Sequence, residues 1–392
     1  MDRAISGKNA IYIGHIGAEG TAMSLHTRNI ASLLEQLDFH VSFACKAVID
    51  ENKKYGQQDQ FEYLYSKQYL TGAKTASMEW LAEEIFGLKL KRLVVRTINE
   101  KQPELVVFYG YTSEKFFIKY CKRKKIKFIV DRTDWFEPDD AENRLNYYLT
   151  KYIANRCVEK HDFNADGVIS ISRYFAEHYE NGGQKTIWLP PLIQKSEDKR
   201  NCYTQGAALK LVYAGSLGGT KDIVMPVIDL LIHKYNSERI RLELHLVGIS
   251  EKQLNQEYGH SDWNAFGIIA HGQVPHREAE DIVSKSDFSL LLRHNKRYAK
   301  AGFSTKFAES LMNYVPVICT AVGGADSIIE NGIQGFLLTD NSNEEICRVV
   351  DQLLALSQKE IEAMQYNAHL LAMRYFDKSL YLTKINQFLE KI

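Results

Sequence analysis

Short runs of β-branched and aromatic residues alternate with longer segments that carry apolar residues at helical spacing, almost from end to end of the chain. In the first half the short runs are AIYIGH (10–15), HVSFAC (40–45), ELVVFYG (104–110), KFIV (127–130), GVISIS (167–172) and TIWLP (186–190). Segments 21–37, 77–99, 112–123 and 142–162 lie between them with the 3.6-residue period of amphipathic helices. Strands that read as unbroken apolar runs and alternate with helices predict βα units and a mostly parallel sheet. Around position 190 the pattern breaks at Pro190-Pro191, and QKSEDKRNCYTQGAA (194–208) has no apolar period. The alternation restarts with KLVYAG (210–215), RLELHLVG (241–248), DFSLLL (287–292), VPVICT (315–320) and GFLL (335–338), and the last stretch is helical. The expected architecture is α/β, with two Rossmann-like doubly wound domains facing across a cleft and a helical C-terminal tail. The expected boundaries are 1–192, a linker over 193–208, 209–360, and C-terminal helices over 361–392 with the first domain as a surface to pack back on.

Length agrees with this division, since 392 residues exceed one ordinary core and fit two domains of roughly 150–200 residues. The 49 basic and 49 acidic side chains cancel, so no global field collects nucleic acid. Six cysteines are scattered without a CxxC pair or zinc-type spacing to histidines. They read as small buried hydrophobes in a reducing compartment. The first apolar run is too short for a signal peptide, and none approaches the ~20 residues of a membrane span. The expectation is a cytoplasmic protein, peripheral on the inner membrane face at most.

In open α/β sheets ligands gather at the carboxyl ends of the strands, so the strand-to-helix loops carry the candidate chemistry. YAGSLGGTKDI (213–223) leaves a strand through Gly215, Gly218 and Gly219 and is read as entering a helix near Asp222. Glycines there admit a ligand close to the backbone, and Lys221 can neutralise a phosphate; a plain tight turn is the alternative. In KAGFSTKFAESLMNYVPVI (300–318) either Ser304 or Thr305 can cap the following helix. The amides of Phe303 to Lys306 then stand at the positive end of its dipole. Glu309, four residues after Thr305, shares its face and suits a ribose diol, or is a solvated carboxylate.

Together these pieces resemble the donor domain of GT-B-fold glycosyltransferases, in particular family 4, the large retaining group. The likeness runs from 210 to about 340, through YAGSLG, LHLVG, AHGQVPHREAEDIVSKSDFSLLLR, AGFSTKFAESLMNYVPVICTAVGG and ENGIQGFLL, and is weak in the first domain. It implies that Gly215, Ser216 and Lys221 contact the donor phosphates and that Gln273 to Pro275, with Val274 central, contact the base. The loop Phe303, Ser304, Thr305, Lys306 and the carboxylate of Glu309 are implied to hold diphosphate and ribose, and Gly248 adjoins them. Two departures stand out. Ala301 occupies the first position of the family's paired-glutamate motif, and Ser216 stands where an arginine is common. Arg293, with Lys300 or Lys306, is a candidate to supply the missing positive charge. Members typically retain anomeric configuration and use no metal; no DxD pair flanks the diphosphate loops here.

In the first domain, GHIGAEGTAMSLHTRNIASLLEQL (14–37) spaces its glycines G-x-x-G-x-x-G, unlike the dinucleotide fingerprint. That disfavours an NAD-dependent oxidoreductase. By the resemblance, Gly17 and Gly20 face the donor diphosphate. VDRTDWFEPDD (130–140) offers Asp131 and Asp134 as catalytic carboxylates that orient an acceptor hydroxyl or stabilise charge on the sugar; a loop cap and a solvated side chain are the alternatives. His15 is a further candidate. KLKRLVVR (89–96) and KYCKRKKIK (119–127) are solvated helix faces or contacts to an anionic membrane. The expected function is transfer from a nucleoside-diphosphate sugar to a glycan or lipid-linked sugar, with retention, in cell-surface polysaccharide biosynthesis. Alternatives are a GT-B-fold sugar-nucleotide 2-epimerase or a non-catalytic sugar-nucleotide-binding scaffold subunit. No cofactor is expected beyond the donor co-substrate.

Overall fold

In the computed structural model of the chain, the described residues are 7–14, 21–48, 61–68, 86–136, 145–193, 207–215, 222–259 and 262–392. Their apolar runs become strands buried on both faces, as β1 (Lys8–Gly14) shows: everything from Ala10 to Ile13 is at most 1% exposed. The two halves of the chain form separate compact units, Met1–Leu192 with Lys378–Ile392, and Ile193–Asp377.

In the first unit β1 is joined by β2 (Phe39–Val48), β3 (Glu62–Gln68), β4 (Leu105–Tyr109), β5 (Lys127–Arg132), β6 (Gly167–Ser170) and β7 (Thr186–Trp188). All pair in parallel in the order β3-β2-β1-β4-β5-β6-β7. The helix Ala22–Glu35 follows β1 behind a Thr21 side-chain cap, and its Ile30, Leu33 and Leu34 pack on Tyr12, Val41 and Phe43. The terminal helix Leu382–Lys391 belongs to this unit, with Ile385 and Phe388 in the same core.

The second unit repeats the plan with β8 (Leu209–Ala214), β10 (Leu242–Val247), β11 (Ile268–Gly272), β12 (Phe288–Arg293), β13 (Val317–Thr320) and β14 (Gly335–Leu338). They pair in parallel in the order β11-β10-β8-β12-β13-β14. A two-residue strand, β9 (Asp222–Ile223), runs antiparallel to the end of β12. This corrects the helix expected near Asp222: Asp222 and Ile223 pair with Arg293 and Leu292, and the helix opens at Met225 with a proline in its first turn. The unit closes where Ile193 bridges Asp377.

Of the expected linker, 194–206 lies outside the described residues. Cys45, Cys121, Cys157 and Cys319 are buried free thiols. Among the described residues no helix is long and apolar enough to cross a membrane.

Candidate functional site

Three glycine turns stand at the carboxyl ends of adjacent strands in the second unit. Gly215, Gly248 and Gly272 follow or end β8, β10 and β11, and the chain laces them together: Gly215 N donates to Val247 O at 2.8 Å and Gly248 N to Gly272 O at 2.7 Å. A Cβ on Gly248 would come within 2.4 Å of Gly215 O, and its φ of +94° already disfavours side chains. A Cβ on Gly215 would meet the Tyr213 hydroxyl and the Lys306 Nζ within 2.8 Å. Gly215 therefore opens the backbone to a basic residue that arrives from far along the chain.

That residue heads the helix Thr305–Met312. Lys306 Nζ donates to Asp222 Oδ2 and Arg293 Nε to Asp222 Oδ1, each at 2.8 Å. One carboxylate thus gathers two cations that β12 and the helix deliver separately. Burial works to raise the Asp222 pKa, but Arg293 and Lys306 outweigh it and hold the group below the usual carboxylate range. Arg293 is fixed by its backbone as well: its N–H donates to Thr320 Oγ1 at 2.7 Å, and its carbonyl accepts from Thr320 and Asn341. Burial, then the Asp222 charge, pushes the Tyr213 hydroxyl well above its ordinary range, so it stays protonated.

Ser304 occupies the N-cap position of this helix, yet its side chain makes no capping bond, and its buried Oγ has no hydrogen-bond partner. With Arg293, Phe303, Phe307, Thr320 and Gly323 it lines a small recess at the ends of β12 and β13. Phe303 packs edge-on against Phe307 and Phe376, and Thr305 is partly exposed. Ala301 is completely buried.

On the other flank, Val274 packs into a patch of Val212, Val247, Val283 and Val315, which anchors the segment entering the helix His276–Ser284. His276 stands between two carboxylates, with Nδ1 3.6 Å from Glu280 Oε2 and Nε2 3.8 Å from Glu309 Oε1. Glu280 first, then Glu309, holds its pKa up at about 10. Ser216 and Lys221 lie outside the described residues, and Lys300 is exposed.

In the first unit Asp131 ends β5 and is 1% exposed. Both its oxygens lie 2.9 Å from His26 Nε2, and Tyr12 donates its hydroxyl to Oδ2. Asp134 is half-buried; it accepts from Thr133 Oγ1 at 3.1 Å, while its carbonyl accepts from Tyr111 at 2.5 Å. Between them Arg132 points inward, bidentate on Asp162 at 2.6 and 2.7 Å and bonded to Glu114 and the Gly110 carbonyl. Glu114, Cys157 and His161 bring ligand-type atoms within 4.8 Å of one another nearby. Burial first, then Lys115 and Arg156, pushes His161 below its usual pKa. His15, Gly17 and Gly20 lie outside the described residues.

The structure therefore brings Gly215, Gly248, Arg293, Ser304 and Lys306 to one strand edge and joins Glu309 to the segment around Val274. Asp222, His276, His26 and Tyr12 were not singled out in the sequence. Only His276 carried a local signal, as a histidine four residues before Glu280 at a helix start.

Known proteins resemble this chain over most of its length. The chain is 27% identical over 358 residues to an uncharacterised glycosyltransferase, MJ1069, of Methanocaldococcus jannaschii, covering 88% of this chain and 87% of that one. Sucrose-phosphate synthase of Thermosynechococcus elongatus superposes with a TM-score of 0.73 at 14% identity, over 98% of this chain and 99% of the other. Anabaena HepE in complex with UDP-glucose does so with 0.67 at 15% identity, over 98% and 100%. The fold is that of GT-B glycosyltransferases. Residues 206–370, which fall within the second unit, match the family described as "Glycosyl transferases group 1".

Proposed function

We propose that the protein transfers a sugar from a nucleoside-diphosphate sugar to a glycan or lipid-linked acceptor, with retention of configuration, in cell-surface polysaccharide assembly. The observation that carries the reading is the basic pair at the glycine turns, Arg293 and Lys306, beside the unpartnered Ser304 Oγ at a helix N-terminus. Two cations, a free hydroxyl and open helix amides suit a diphosphate. That a structural neighbour, Anabaena HepE, is known in complex with UDP-glucose supports the same choice of donor. As the acceptor hydroxyl bonds to C1 and the bond to the diphosphate breaks, negative charge grows on the leaving phosphate oxygen. Arg293, Lys306 and Lys221 stabilise it without a metal. Glu309 holds the ribose, and Gln273 to Pro275 the base.

On the acceptor side we assign Asp134 and His15 to the acceptor hydroxyl. Asp131 is fully engaged by His26 and Tyr12 and acts by positioning His26. We further assign the basic helix faces at Lys89–Arg96 and Lys119–Lys127 to an anionic membrane.

Calorimetric titration with UDP-, GDP-, ADP- and TDP-sugars tests the donor assignment. One of the four is expected to bind and to stabilise the protein by ~2.7 kcal/mol at 100 times its dissociation constant. Binding by none overturns the reading. Incubation with the bound donor alone separates the rival enzyme activity, since an epimerase converts it without an acceptor. Donor binding without transfer to any acceptor would point to a scaffold, the outcome that Ala301 at a position where the resembled family has glutamate makes worth testing.

A further inference from the structure

We infer that His276 is a positioning residue that holds Glu309 in the orientation the nucleotide ribose requires. This rests on the donor assignment above and adds a residue to it.

Both ring nitrogens of His276 face a carboxylate oxygen, Glu280 Oε2 from its own helix and Glu309 Oε1 from the helix Thr305–Met312. A neutral imidazole would set a lone pair towards one of those oxygens, whereas the imidazolium attracts both across ion-pair distances of 3.6 and 3.8 Å. With one carboxylate on each side, His276 stays charged through neutral pH. The contact lies on the Oε1 side of Glu309, and Oε2 faces away from it as the oxygen offered to a hydroxyl. The Glu309 side chain is 23% exposed, which leaves it open to a ligand.

Stability does not account for the arrangement. The His276 and Glu280 side chains are 43% and 50% exposed, and ion pairs at such positions contribute only ~0–1 kcal/mol. What the triad does is tie two helices together at the point where they flank the site. Val274, two residues upstream, is packed against Val212, Val247, Val283 and Val315, so His276 leaves an anchored backbone. The segment assigned to the base and the carboxylate assigned to the ribose are thereby held in one fixed relation, and this is the geometry that a nucleoside needs.

The test is a cycle on the protein variants and the ligand together. UDP and 2′,3′-dideoxy-UDP (or the GDP pair, if the donor panel selects guanosine) are titrated calorimetrically into wild type, His276→Ala, His276→Lys and Glu309→Ala. Circular dichroism melting checks that each variant is folded. His276→Ala is expected to lose up to about fivefold in affinity for the ribonucleotide, the scale of one solvent-accessible ion pair, and nothing for the dideoxy form. His276→Lys, which keeps the positive charge, should recover part of the loss. Equal losses for the two nucleotides, or no loss while Glu309→Ala abolishes the discrimination, would overturn the role of His276 and leave the donor site standing. Failure of wild type to bind any nucleoside diphosphate would remove the donor site itself, and the inference with it.

Discussion

A carboxylate that meets substrate must be reachable, and by that measure Asp131 and Asp134 differ. Asp131 is closed off by Tyr12 and His26, whereas Asp134 is half-buried. Asp131→Asn keeps the shape but replaces one acceptor oxygen with an NH2 that faces the Tyr12 hydroxyl or His26 Nε2. The expected outcome is a loss of about 1–3 kcal/mol in stability from the broken buried network, together with a fall in turnover at saturating donor. Asp134→Asn should leave the melting temperature within a degree or two, and lower turnover by ~10²-fold or more if it serves the acceptor hydroxyl. Donor affinity should be unchanged in both. Thermal melts and initial rates decide: Asp134→Asn losing less than tenfold in rate would remove it from the acceptor site. None of this contrast is visible in VDRTDW, because Tyr12 and His26 lie 119 and 105 residues from Asp131 in sequence. Asp222 is the same case, with partners 71 and 84 residues away. Periodicity could place Arg293 and Lys306 at strand and helix ends, but not the carboxylate that gathers them.

At the scale of elements, the helix caps separate stability from binding. Ser250 and Ser357 each form a full capping box with Gln253 and Glu360, as their S-x-x-Q and S-x-x-E spacing dictates. Ser304 occupies the same position on Thr305–Met312 without a capping bond. Ser357→Ala is therefore expected to cost about 1 kcal/mol, and Ser304→Ala to cost nothing or to raise the melting temperature slightly, since it removes a buried hydroxyl with no partner. Donor affinity should move the opposite way, falling only in Ser304→Ala. An equal destabilisation in the two variants would show that Ser304 is an ordinary cap. The strands divide by a comparable logic. Central strands such as β1, β4, β8 and β12 were legible because both faces are covered and the apolar run is unbroken. β3 (EYLYSKQ) and β11 (IIAHG) were missed, and both are edge strands. An edge strand is partly open to solvent, so polar residues and glycine interrupt its pattern.

For the whole molecule, a formal net charge of zero conceals a local imbalance. The helices Leu88–Lys101 and Glu114–Lys124 of the first unit carry ten lysines and arginines against two glutamates. One of these, Glu114, is buried on Arg132, and the other, Glu100, is paired with Arg96. The helices are neighbours, for Tyr120 donates to Asn99 and Lys91 lies over the Phe116 ring. Phe86, Leu88 and Phe116 add apolar surface at 57%, 50% and 39% exposure. A cationic face edged by exposed apolar side chains suits an anionic bilayer better than water, with each basic residue contributing ~1 kcal/mol near the leaflet. Replacing Lys122, Arg123, Lys124 and Lys125 by glutamine removes up to ~4 kcal/mol of that attraction. We expect at least a tenfold lower partition onto vesicles containing phosphatidylserine at low salt, and wild-type binding that itself weakens as salt rises. Because the four residues sit at the end of one solvated helix, donor affinity and melting temperature should not change. Cosedimentation with anionic and with purely zwitterionic vesicles is the deciding measurement. If wild type fails to bind the anionic set at low salt, or binds both sets equally, the basic helices are solvated faces and the acceptor need not be sought at a membrane.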